Sequence, residues 1–105
     1  MAMSKVEECG IEIALRLIGG KWKLLILYCL FKDTVVRFGE FRRLLPEITQ
    51  QMLTSQLREM EKDGIINRKV YPQVPPKVEY TLTEFGISMK PMLDTMMKWG
   101  EQYKK

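Results

Sequence analysis

The stretch EFRRLLPEITQQMLTSQLREMEKDG, Glu40 to Gly64, decides the fold. Its first part predicts a short third helix, Glu40 to Leu45, capped by Gly39, with Phe38, Phe41, Leu44 and Leu45 turned inward. Pro46 lacks the backbone N–H that a helix interior needs and stops that helix. Pro46-Glu47-Ile48 then makes a three-residue turn. Thr49 carries the hydroxyl that caps a helix N-terminus. A fourth helix is expected from Thr49 to about Asp63, ended by Gly64, which tolerates the left-handed conformation of helix ends. Two helices joined by so short a turn read as a helix-turn-helix.

Toward the C-terminus come two strand-like runs, Ile66 to Val74 and Lys77 to Leu82, a ribbon over about 66–82. Pro75-Pro76 cannot donate to a ladder and belong at its tip or edge. Thr83 caps a last helix over about 84–104, which Pro91 should kink or divide. Toward the N-terminus, Ile11, Leu15 and Ile18 recur at helical spacing, and Gly19-Gly20 end that helix. Lys21 to Phe31, KWKLLILYCLF, is apolar all round and reads as the central core helix. Cys29 within it reads as a small buried hydrophobe. Asp33 to Arg37 makes a turn and a short β-like stretch. The fold class is therefore mainly α with a small β-ribbon, on the winged helix-turn-helix plan. No repeat, low-complexity tract or linker interrupts the chain, so residues 1–105 read as one domain.

At about 100° per residue, Leu53, Leu57 and Met60 form the buried stripe of the fourth helix. Gln51, Thr54, Ser55, Arg58 and Lys62 fall opposite, on a face read as free of carboxylates. Glutamine can pair with adenine and arginine with guanine, while serine and threonine suit bases or phosphates. Thr49, Gln50 and Gln51 stand at the helix start, the part of a recognition helix that goes deepest into the major groove. An ordinary solvated face would look the same; the preceding helix, the turn and the ribbon favour DNA. Arg42 and Arg43, on the helix before the turn, and Arg68, Lys69 and Lys77, on the ribbon, are candidates for phosphate or minor-groove contacts. Solubilising edge charges are the alternative for the ribbon.

Phe85, Met89, Met92, Met96, Trp99 and Tyr103 are spaced four, three, four, three and four, a heptad-like seam broadened by Leu93 and Met97. A small domain that already holds a core helix is expected to turn part of this seam toward another subunit. Packing within its own subunit is the alternative.

Composition excludes more than it asserts. Lys and Arg number 17 against 13 Asp and Glu, a net charge of +4 that permits phosphate binding without requiring it. There is no histidine, and the two cysteines form no CxxC pair. A zinc site, imidazole catalysis, a phosphate loop and a cofactor are not expected, and the chain does not read as an enzyme. The N-terminal MAMSKVEEC has no apolar segment of the signal-peptide kind, and Leu24 to Phe31 is too short to span a bilayer. A cytoplasmic protein with reduced thiols and no membrane partner is expected.

Several motifs together are similar to one family. GGKW (19–22), RFGEFRRLLPEIT (37–49), LTSQLREMEKDGII (53–66), VPPKVEYTLTEFG (74–86) and Trp99-Gly100 resemble the HxlR-type winged-helix transcriptional regulators of bacteria, from Cys9 to Gly100. The resemblance implies dimers built from the first and last helices, which adds Ile11 and Leu15 to the seam. It also implies inverted-repeat operators, recognition by the Thr49–Asp63 helix and a wing at the ribbon. Several members sense oxidants, quinones or aldehydes through a cysteine just before the first helix, and Cys9 occupies that place. Here Gly10 follows it where the family commonly has proline; Glu7 and Glu8 precede it and disfavour a thiolate, whereas a helix N-terminus favours one.

The expected function is thus a sequence-specific, homodimeric regulator on double-stranded DNA, with a redox or electrophile signal as one option. The alternatives are a winged helix that binds only protein, or a regulator sensing a small apolar ligand between subunits.

Overall fold

The computed structural model describes residues 9–105. The elements run α1 (Gly10–Ile18), α2 (Trp22–Asp33), β1 (Val36–Arg37), α3 (Phe38–Leu44), α4 (Gln50–Lys62), β2 (Ile66–Tyr71), β3 (Lys77–Leu82), α5 (Glu84–Ile87) and α6 (Lys90–Glu101). The strands form one antiparallel sheet in the order β1-β3-β2. Val36 of β1 and Arg68 of β2 both face Tyr80 of β3, and Lys69 faces Glu79. The elements are those of a winged helix-turn-helix, with β2 and β3 as the wing.

The apolar α2 lies at the centre. Its Ile26, Leu27 and Leu30 are buried with Phe41 of α3, Leu53, Leu57 and Met60 of α4, and Ile65, Ile66 and Tyr80 of the sheet. Phe41 meets Tyr80 edge-on, with ring centroids 5.9 Å apart. Cys29 is buried in α2, as its place in an apolar run implied. Among the described residues no helix is long and apolar enough to cross a membrane.

Several details differ from the sequence reading. α3 starts at Phe38, because the Glu40 carboxylate accepts a hydrogen bond from the Arg37 backbone N–H at 2.9 Å and makes Arg37, not Gly39, the cap. Leu44, expected inside, is exposed. β2 ends at Tyr71 rather than Val74, since Pro72 has no ladder donor. The last helix is divided, as Pro91 implied: α5 stops at Ile87, and Pro91 sits in the first turn of α6, where a missing N–H costs nothing. α6 ends at Glu101, leaving Tyr103 beyond it.

Thr83 holds the wing, α4 and α5 together. Its hydroxyl accepts from the Gly86 N–H at 3.0 Å and reaches the Ile65 carbonyl at 3.0 Å, while its own N–H donates to that carbonyl at 3.1 Å. Gly86 lies so close to the Ile65 carbonyl and the Leu82 side chain that a Cβ there would collide with backbone. Gly64, at φ 76°, makes the turn from α4 into β2. These contacts fix the angle between α4 and the wing.

Candidate nucleic-acid interface

The helix-turn-helix presents α4 by burying what surrounds it. Ile48 is buried in the turn, and Leu53, Leu57 and Met60 anchor the inner stripe. The Thr49 hydroxyl accepts from the Met52 N–H at 3.1 Å and so caps α4. No carboxylate lies in the first turn of α4. Its N-terminal N–H groups thus meet no carboxylate from the helix's own first turn, an arrangement that suits phosphate.

Gln51, Ser55, Arg58 and Lys62 are exposed along the crest of α4. Gln50, Gln51, Thr54, Ser55 and Arg58 share one shallow depression. Thr54 sits lower, half-buried, and its hydroxyl donates to the Gln50 carbonyl at 2.9 Å. The face expected to be free of carboxylates is bordered by two. Glu59 joins the rim of the depression, where its Oε2 lies 3.6 Å from Nζ of the buried Lys23 on α2. Glu61 lines the opposite flank. The crest itself remains carboxylate-free.

The wing separates its cations by strand alternation. Arg68 shares the face of Ile66 and Tyr80 and lines a cleft of about 400 Å³ with Arg58, Thr54 and Glu61 of α4, over Phe38, Leu57, Val78 and Tyr80. Lys69 and Lys77 lie on the other face. There their ammonium groups stand 4.9 and 4.2 Å from the centroid of the Tyr71 ring. The Tyr71 hydroxyl donates to Glu79 at 2.9 Å, and Lys77 lies 3.8 Å from the same carboxylate. Half-buried Lys77 is therefore already partnered. The structure brings Arg68 to α4 and leaves Lys69 and Lys77 apart from it.

Arg42 and Arg43 are both exposed on α3. Arg43 borders a groove of about 390 Å³ shared with Arg37 and with Gln73, Pro75, Pro76 and Lys77 of the wing tip; Arg42 does not. Glu61 was missed from sequence. On a helical wheel it falls between the buried stripe and the crest, on the flank of Thr54, and that intermediate angle was the available signal.

The expected subunit seam divides in two. Met89 is only 9% exposed and belongs to this chain's own core, and Met92 packs against it. Met96, Met97, Trp99 and Tyr103 are exposed, as are Ile11 and Leu15 on α1. The Trp99 and Tyr103 rings meet at a tilt of 50°, with centroids 5.1 Å apart. Beside them, Leu24, Leu25 and Tyr28 of α2 and Leu93, Met96 and Met97 of α6 line an open groove of about 510 Å³. Cys9 is half-buried at the N-cap of α1, its carbonyl accepting from the Glu12 N–H at 3.1 Å. Glu7 and Glu8 lie outside the described residues. Burial, and then the Asp33 carboxylate, push the Cys29 thiol up, which keeps it a poor nucleophile.

The HxlR-like helix-turn-helix family matches residues 17–105. An HTH-type transcriptional regulator of Bacillus subtilis, YdeP, is 59% identical over 98 residues, spanning 93% of this chain and 76% of that protein. Another, from Methanothermobacter thermautotrophicus, is 56% identical over 95 residues, 90% of this chain and 72% of that one. Among solved structures, the redox regulator HypR in its oxidized form superimposes with a TM-score of 0.86 at 54% identity, over 92% of this chain and 99% of that chain. The chain is a helix-turn-helix transcriptional regulator and belongs to the HxlR-like family.

Proposed function

We propose that this regulator binds an inverted-repeat operator as a homodimer, reading the major groove with α4. One observation carries the reading: the exposed crest of α4, with Gln51, Ser55, Arg58 and Lys62, presents only groups that bond base edges or phosphates. Gln50 and Gln51 in the first turn take base edges, with Thr49 at the cap beside them. Arg58 takes guanine or the adjoining backbone, and Lys62, Arg42 and Arg43 take phosphate. Arg68 continues the contact onto the wing, where Lys69 and Lys77 contribute less because their charges are already engaged. The exposed apolar residues of α1 and α6 support the dimer, which would set two copies of α4 roughly 34 Å apart, one turn of DNA. In this reading residues 1–105 act as one domain, in the cytoplasm, without catalysis. Fluorescence anisotropy with the duplex upstream of the gene tests it. Binding should weaken steeply as salt rises, because each neutralised phosphate releases counterions. Absent or salt-insensitive binding would count against it.

A second reading concerns the signal. Cys9 is half-buried at the start of α1, within the surface proposed for dimer contact, and the similar HypR is described as a redox regulator. Two Cys9 thiols, one per subunit, would give two protons and two electrons to an oxidant such as diamide and form one disulfide. After diamide, non-reducing electrophoresis should show a reducible band of twice the mass, kept by Cys29→Ser and lost by Cys9→Ser. An unchanged monomer band would contradict it.

A further inference from the structure

We propose that Lys23 of α2 is a positioning residue for DNA binding: it holds the Glu59 carboxylate against α2 and cancels its charge at the edge of the base-reading face. This rests on the DNA-binding reading above. Among the described residues, Glu59 is the one carboxylate that borders the depression holding Gln51, Ser55 and Arg58. Its side chain is 54% exposed, whereas that of Lys23 is only 10% exposed. The lysine stem is packed inside the protein and holds the ammonium in place, so the freer carboxylate moves to meet it. Glu59 Oε2 lies 3.6 Å from Lys23 Nζ. Lys62 stands three residues further along α4, a spacing that permits an ion pair. Yet among the described residues Lys23 is the one cation within 4.0 Å of Glu59. Lys62 stays exposed.

The place of Lys23 is not explained by α2 alone. It is the second residue of that helix, whose N-terminus carries partial positive charge and disfavours a cation. Burial adds a desolvation cost. A negative partner from outside α2 offsets both, and Glu59 is that partner. Lys21 makes a similar contact with Glu47 in the turn, at 3.5 Å, but both side chains are exposed and such a pair contributes little. Shielded on one side from water, Lys23 and Glu59 attract each other through a lower effective dielectric. Without the ammonium, a full negative charge would border the face that enters the groove. Phosphates on either side repel that charge whatever the base sequence, and a homodimer carries it twice.

The test uses the full chain with two duplexes of about 30 bp and equal composition: the operator recovered by selection from a random pool, and a scrambled version. Lys23→Met keeps the unbranched stem, suits a buried site and removes the charge. Operator binding should weaken about 10-fold at about 0.1 M salt, roughly 3-fold for each subunit. The double variant Lys23→Met/Glu59→Gln lacks the same contact but also lacks the exposed charge, and should bind within about 2-fold of wild type. Lys32→Met removes an equal charge from the exposed far end of α2, roughly 13 Å along the axis and beyond the Debye length, and should change binding less than about 2-fold. Wild-type affinity in Lys23→Met overturns the proposal. So does a loss that persists in the double variant, which would make Lys23 a packing residue, and so does an equal loss in Lys32→Met, which would reduce the effect to net charge. In each case a wild-type preference for the operator over the scrambled duplex still sustains the DNA-binding reading. A wild-type protein that binds neither duplex overturns both.

Discussion

Phe41→Ala is expected to remove about 3–5 kcal/mol of folding stability, the range for emptying a fully buried aromatic site. The ring is 0% exposed and meets Tyr80 edge-on. It joins α3 to the sheet and to α2, so several elements lose contact at once and cannot all collapse into the gap. A domain of this size has roughly 5–15 kcal/mol in total, so the loss is a large share of the whole. Thermal unfolding followed by circular dichroism should drop by about 15–30 °C. Leu44→Ala, on the same helix but exposed, should stay within about 0.5 kcal/mol of wild type. Similar losses in the two variants would mean that α3 is packed differently.

The second large effect is expected at Trp99. The ring is 66% exposed, with the Tyr103 ring tilted against it, and Met96 is exposed one turn earlier on α6; α1 exposes Ile11 and Leu15 as well. If this patch joins two subunits, tryptophan is the residue type that most often dominates such an interface. Trp99→Ala should then weaken the dimer by about 2–4 kcal/mol, roughly 30- to 1000-fold in dissociation constant. Because the side chain contributes little to this chain's own core, the melting transition of the isolated subunit should hardly move. Sedimentation across a concentration series separates the two effects. An unchanged dimer constant would place the interface elsewhere.

The helix-turn-helix was readable because its signals act over a few residues. Pro46 denies a hydrogen bond, Thr49 supplies one, and Gly64 accepts a left-handed turn, whatever the rest of the chain does. Periodicity was less decisive. Met89 and Met96 occupy equivalent places in the same heptad pattern, yet one lies in the core and the other faces solvent. A 3.5-residue repeat cannot say which subunit covers a stripe. Nor could it show the break at Ser88, which follows from the Thr83 cap and from Pro91 opening a new helix.

The site divides along the same line. The crest of α4 was legible because three buried residues orient the whole helix. Arg68 and Lys69 are adjacent in sequence, and only the strand register assigns one to the cleft and the other to Tyr71. The Lys23–Glu59 contact joins α2 to α4 across 36 positions, beyond the reach of any local pattern. Long-range packing, not local propensity, decides which charges are free to meet DNA.

The central claim, that the α4 crest reads sequence, is tested most directly by Arg58→Ala, with binding measured on the selected operator and its scrambled counterpart at several salt concentrations. The account predicts a loss of about 10- to 100-fold on the operator, a much smaller loss on the scrambled duplex, and an unchanged melting temperature. Operator affinity equal to wild type, or an equal loss on both duplexes, would contradict it.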